Sequence, residues 1–167
     1  MKILLDIFII IVLLFTGLFL YTQYWGVLQH ALFGADTEYT IYLGSKAMSV
    51  TVADEQEERI QGLSGTKSLS DFGGKLFIFN TDDMHGIWMK DMLFPIDIIW
   101  IDKDLVVVDF VSNADPSSYP KVFAPKVPAR FVLETNAFFV DTTKIAIGDR
   151  LVLPPGILPK DIEKSLQ

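Results

Sequence analysis

The sequence predicts a mainly β protein: a small β-sandwich or barrel with one or two short helices, preceded by a single N-terminal transmembrane helix. Three observations lead there. Short β-branched and aromatic runs alternate with turn residues from about Glu38 to Leu153, a pattern of sandwiches and barrels rather than of alternating β and α units. A long apolar stretch opens the chain. Cysteine is absent from the 167 residues, so no disulfide, zinc finger, iron–sulfur cluster or thiol nucleophile enters the reading. A domain of this size buries enough apolar surface without staples.

Ile7 to Leu20 reads IFIIIVLLFTGLFL, and no charge occurs between Asp6 and Asp36. The stretch from Ile3 to Trp25 matches the ~20 residues that cross a bilayer as a helix. Tyr21, Tyr24 and Trp25 follow where interfacial aromatics belong. Lys2 precedes the run, and the next Lys or Arg is Lys46. This asymmetry places the N-terminus in the cytoplasm and the remainder outside. A cleaved signal peptide fits less well. Small residues are wanted at −3 and −1, but cuts after Ala35 or Ala31 put Phe33 or Gln29 at −3. The expected organisation is an anchor and linker over residues 1–35 and an extracytoplasmic domain over residues 36–167.

In that domain, Glu38–Leu43 and Lys46–Val52 flank Gly44-Ser45 as a hairpin. Asp54 is expected to cap a helix, with Glu57 three residues on and Gly62 near its end. Its face of Glu55, Glu57 and Glu58 reads as solvated, with support from the helix dipole. Further strands are expected over Lys75–Phe79, Ile87–Met89, Ile96–Ile101, Leu105–Val111, Arg130–Thr135 and Arg150–Leu153. A second short helix or turn is expected over Ala137–Thr143. From Pro154 onward the chain reads as a loop or an edge extension. Residues 113–128, with four prolines, Tyr119 and Phe123, form the longest stretch without a strong strand signal. Such a loop suits either a binding role or a lid over a sheet edge.

The order and spacing of several motifs resemble the domain of unknown function 192 family. These are Val52-Ala53-Asp54, Glu58-Arg59 and Gln61-Gly62-Leu63, then Gly74 to Phe79. Ile87-Trp88-Met89-Lys90-Asp91 with Pro95-Ile96-Asp97-Ile98 is the most characteristic stretch, and Val132-Leu133-Glu134 and Ile147-Gly148-Asp149-Arg150 close the pattern. The resemblance covers roughly residues 46–153. It departs at Ser64, where family members often carry Met, and at Asn136-Ala137, where Ala-Gly is common. It implies a small jelly-roll-like β-sandwich. The family has no established activity, so the resemblance implies no catalytic residue.

Charge narrows the partners. Lys and Arg number 14 against 21 Asp and Glu, for a net charge of −7 and a pI near 4.7. The outer domain carries all of that excess, which disfavours nucleic acid. Besides the membrane, the expected partners are a small ligand, a glycan or an envelope protein, and no cofactor is implied.

Trp88 and Lys90 share one face of a strand. They read either as a cation–π pair forming a ligand platform or as a core aromatic beside an ion pair. Asp97 lies between apolar residues on both strand faces, where a carboxylate needs partners. Lys90 and Arg130 are the candidate partners, and Trp88, Lys90, Asp97 and Arg130 together form the candidate ligand site. Asp97 and Glu134 are the candidate general acid/base residues of a hydrolase-like alternative, as in a glycosidase carboxylate pair. Against that, Glu134 reads as an ion-pair partner of Arg130 or Lys90. Asp82, Asp83 and His85 form a weak mixed O/N metal set, with an ordinary polar loop as the competing explanation. No serine stands in a Gly-x-Ser-x-Gly elbow. Together these features predict a membrane-anchored binding or structural module of the cell envelope.

Overall fold

The computed structural model describes Thr16 and residues 37–165. The chain divides into two compact units, Met1–Thr37 and Glu38–Gln167, and the second is described below. The expected anchor lies outside the described residues, Thr16 excepted. Among the described residues no helix is long and apolar enough to cross a membrane.

Tyr39–Leu43 (β1) and Lys46–Ala53 (β2) form the expected antiparallel hairpin, with Ile41 opposite Met48. Gly44 sits at φ +56°, the left-handed conformation that tight hairpins recruit glycine to supply. Helix α1 (Gln56–Gln61) follows, one residue later than predicted: Glu55 is the N-cap. Glu58 reaches back so that its Oε2 accepts from the amides of Asp54 (3.2 Å) and Glu55 (3.3 Å). The chain then crosses to Gly73–Asp83 (β3), which runs parallel to β2. Parallel neighbours require such a crossover, so one β–α–β unit interrupts the antiparallel pattern.

Ile87–Trp88 (β4), Ile96–Ile101 (β5), Val107–Ala114 (β6), Val122–Phe123 (β7), Ala129–Asn136 (β8) and Leu151–Val152 (β9) complete the strands. Seven of them form one sheet in the order β6-β5-β8-β3-β2-β1-β9, while β4 and β7 pair separately. The outer edges of the large sheet meet. Val106 bridges Arg150, the Val107 amide donates to the Asp149 carbonyl, and the Leu151 amide donates to the Leu105 carbonyl, both at 2.8 Å. The expected pair of facing sheets is therefore replaced by one curled sheet closing on itself. Closure satisfies backbone groups that free edges would leave open.

Strand alternation divides the core. On the inner face lie Ile41, Met48, Leu76, Ile78, Ile99, Phe131 and Leu133. On the outer face lie Phe77, Ile96, Ile98, Trp100 and Val132, covered by Leu63 after α1 and by Ile87 and Met89 from the β4 region. Strand β5 is buried along its whole length, as its unbroken apolar sequence predicts. Helix α2 (Phe139–Thr143) lies within the predicted span. The tail expected to be a loop instead ends in helix α3 (Lys160–Ser165), where the Glu163 amide donates to the Pro159 carbonyl and Ile162 joins Ile157 in the inner core.

Candidate functional site

Glu134 stands on β8 with Lys75 of β3 on one side and Ile98 of β5 on the other. It therefore points to the outer face. Its side chain is almost fully buried (4% exposed), and its Oε2 has no hydrogen-bond partner among the described residues. Burial pushes the Glu134 carboxyl up to about 8, against the opposing pull of the Lys75 charge. At neutral pH it holds its proton, so it can donate a hydrogen bond as well as accept one.

A cavity of about 50 Å³ lies over this carboxyl, lined by Arg59, Gly62, Phe77, Ile87 and Trp88 among others. The room exists partly because position 62 is glycine. A Cβ there would lie 3.2 Å from the Phe77 ring and 3.8 Å from Glu134 Oε2. Gly62 also ends α1 at φ +51°, donating its amide to the Glu58 carbonyl at 2.8 Å. A groove of about 340 Å³ adjoins the cavity through the shared residues Ile60, Gln61, Ser64 and Trp88, and adds Lys90 and Asp91.

Trp88 forms the rim. It is 47% exposed, so it is not the core aromatic that one of the two sequence readings allowed. Lys90 Nζ lies 6.0 Å from the Trp88 ring centroid, within cation–π range. Tyr119, from the proline-rich loop, meets Trp88 edge-on at 6.2 Å. That loop also supplies β7, whose Val122 pairs with Trp88. Two residues beside prolines carry too little periodicity to announce a strand, and pairing with β4 creates it.

Asp97 goes elsewhere. On β5 it faces inward, opposite Thr135. Its Oδ1 accepts from the amides of Asn113 (2.8 Å) and Phe138 (3.0 Å) and from Ser112 Oγ (3.1 Å). Its Oδ2 accepts from the Val140 amide at 2.8 Å. The predicted pairing with Lys90 or Arg130 is thus corrected: backbone donors satisfy Asp97 and hold the start of α2. Asp97 and Glu134 also point to opposite faces, so they cannot act as a carboxylate pair on one bond. Arg130 is buried and bonds Asp82 Oδ1 through Nε at 2.7 Å. Of the predicted ligand set, Trp88 and Lys90 meet at one site, while Asp97 and Arg130 do not join them.

The loop acids and His85 are occupied locally. Asp83 Oδ1 accepts from the Met84 amide at 2.7 Å. His85 stacks on Phe79 at 3.6 Å, and its Nε2 bonds the Thr81 carbonyl at 2.9 Å. Among the described residues no three His, Cys, Asp or Glu side chains gather as a metal would require. Arg59 and Gly62 escaped the sequence reading as site residues. Their only signal was membership of the motif Glu58-Arg59 with Gln61-Gly62-Leu63, which does not reveal that the end of α1 comes against Phe77 and Glu134.

The model of a family described as DUF192, an uncharacterised group, matches residues 39–153. A crystal structure of a candidate transcription regulator from Sinorhizobium meliloti 1021 is similar at 28% identity and a TM-score of 0.66, over 69% of this chain and 92% of that one. A protein of unknown function from Novosphingobium aromaticivorans is similar at 25% identity and a TM-score of 0.65, over 68% of this chain and 84% of that one. No curated protein matches.

Proposed function

The chain belongs to the DUF192 family, and from that premise we propose that residues 38–165 form a binding module for a small polar ligand, taken up between Trp88 and Glu134. One observation carries this reading: a buried carboxyl with an unpartnered oxygen lies at the floor of a cavity beneath a half-exposed tryptophan. Leaving such a group unsatisfied costs free energy, and ligand pockets combine apolar walls with a few placed polar groups. The apolar segment Ile3–Trp25 supports a tether that presents the module outside the cytoplasmic membrane. The net charge of −7 argues against extending the regulator role of the similar Sinorhizobium protein to nucleic-acid binding here.

The test is a thermal-shift screen of the full chain against small polar metabolites, because a ligand that binds only the native state raises the melting temperature. A hit is expected to lose its effect in Trp88→Ala and to weaken in Glu134→Leu. Hits indifferent to both substitutions would remove this site from the reading. For the tether, protease added outside intact cells is expected to digest the C-terminal domain. Digestion only after lysis would reverse the orientation.

A second reading has its own support. A glutamic acid still protonated at neutral pH suits general-acid catalysis. Turnover of a bound hit by the native chain, lost in Glu134→Gln while binding persists, would make the module an enzyme.

A further inference from the structure

We propose that the Glu134 cavity takes the carboxylate end of a small organic anion, receiving a hydrogen bond from the Glu134 carboxyl and charge compensation from the surrounding Arg59, Lys75 and Lys90, an assignment that rests on the binding-module reading.

Size is the first argument. The cavity measures about 50 Å³, where one water needs about 10–15 Å³ of such space. Only a small terminal group enters, and the rest of the ligand must lie outside, against the exposed Ile60 and Trp88. The ligand is therefore a carboxylate joined to an apolar body.

Charge is the second argument. The chain is acidic, yet basic side chains stand beside this carboxyl, on its cavity wall and in the adjoining groove. Arg59 of α1 lines the cavity and Lys90 lines the adjoining groove. Lys75 is the cross-strand neighbour of Glu134. On the acidic side, Asp91 lines the groove and Glu58 is occupied at the start of α1. Arg130, also on β8, pairs with Asp82. Arg59 Nη1 serves the carbonyls of Asp54 and Ile78 and the guanidinium lies 5.5 Å from the Phe79 ring centroid, while its other N–H groups make no hydrogen bond among the described residues. A cationic ligand would meet the like charges of Arg59 and Lys90. A neutral amide would leave the cations uncompensated. A carboxylate uses both the cations and the proton that Glu134 retains.

Acetate, acetamide and methylammonium, similar in size and different in charge, separate these cases by NMR titration of the full chain. Acetate is expected to shift the Gly62 and Ile87 amides and the Trp88 indole, and to bind at least about tenfold more tightly than either of the others, a difference of about 1.4 kcal/mol. Its affinity is expected to fall about tenfold per pH unit above pH 8, because the binding-competent form must keep its proton. Glu134→Gln keeps a donor and is expected to bind acetate without that pH dependence. Arg59→Gln is expected to weaken it.

If acetamide or methylammonium shifts the same residues as readily as acetate, the anion assignment falls and the binding module stands. If none of the three shifts them, the anion assignment falls, and the binding module is decided by the thermal-shift screen. If acetate shifts them with affinity flat across pH 8 in the native chain, Glu134 is not the donor and the assignment is overturned.

Discussion

Asp97 and Glu134 are buried acids on the adjacent strands β5 and β8, with Asp97 opposite Thr135, the residue after Glu134. Their surroundings differ completely. Asp97 points inward and receives four hydrogen bonds, three of them from backbone amides. Glu134 points outward into a small cavity, where its Oε2 receives none. The first acid stabilises the fold by joining β5 to β6 and to the start of α2. The second is a cost that the fold bears, and such costs cluster where proteins act. The contrast shows that burial of a charge type is not in itself a functional signal. The count of satisfied lone pairs separates the two roles.

Breaking the Asp97 side of this contrast has the largest expected effect. Asp97→Ala leaves the amides of Asn113, Phe138 and Val140 without their acceptor, and should destabilise the chain by about 3 kcal/mol or more. Urea unfolding measures this, and an unchanged midpoint would refute the structural role.

The Glu134 side should respond with the opposite sign. Glu134→Leu removes a buried polar group that lacks partners and should stabilise the chain at pH 8 by about 1 kcal/mol or more. The pH dependence follows from the direction of the shift. The folded carboxyl titrates at about 8 and the unfolded one near 4.5, so the folded state holds a proton that the unfolded state has released between those values. Stability contributed by this group is full below about pH 4.5 and is lost as pH rises through about 8, with a slope of up to about 1.4 kcal/mol per pH unit. Glu134→Gln should flatten that slope in melts taken across this range. A slope equal to that of the native chain would show that Glu134 is not its source.

Two smaller effects sharpen the comparison. Gly62→Ala forces a side chain into a left-handed conformation at about 1 kcal/mol and places a methyl over the acid. Ligand-induced thermal shifts should shrink by more than the stability loss explains. Trp88→Ala should change stability by less than about 1 kcal/mol, since half-exposed aromatics contribute little cavity energy, yet it should abolish those shifts. A large loss of stability in Trp88→Ala would return that residue to the core.

Much of this fold is legible in the sequence because strands depend on local periodicity. The apolar run of β5, the β1–β2 hairpin across Gly44-Ser45 and the helix after β2, though not its capping residue, follow from neighbouring residues. Curling and closure do not. Val106 meets Arg150 through a contact that no local pattern encodes. The short strand β7 and helix α3 also depend on distant partners, β4 for one and the inner core for the other. At the candidate site, Trp88, Lys90 and Glu134 stand out by residue type, whereas Arg59 and Gly62 matter only because the end of α1 comes against Phe77 and Glu134.

The sequence by itself determined that this is a strand-built domain, that Asp97 sits within an apolar run and Glu134 ends one, and that each acid therefore needs an explanation. Only the tertiary structure decided which acid was satisfied. The amides that hold Asp97 belong to residues 16, 41 and 43 positions away. Every residue except proline carries the same backbone N–H, so no side-chain pattern can announce which of them will arrive.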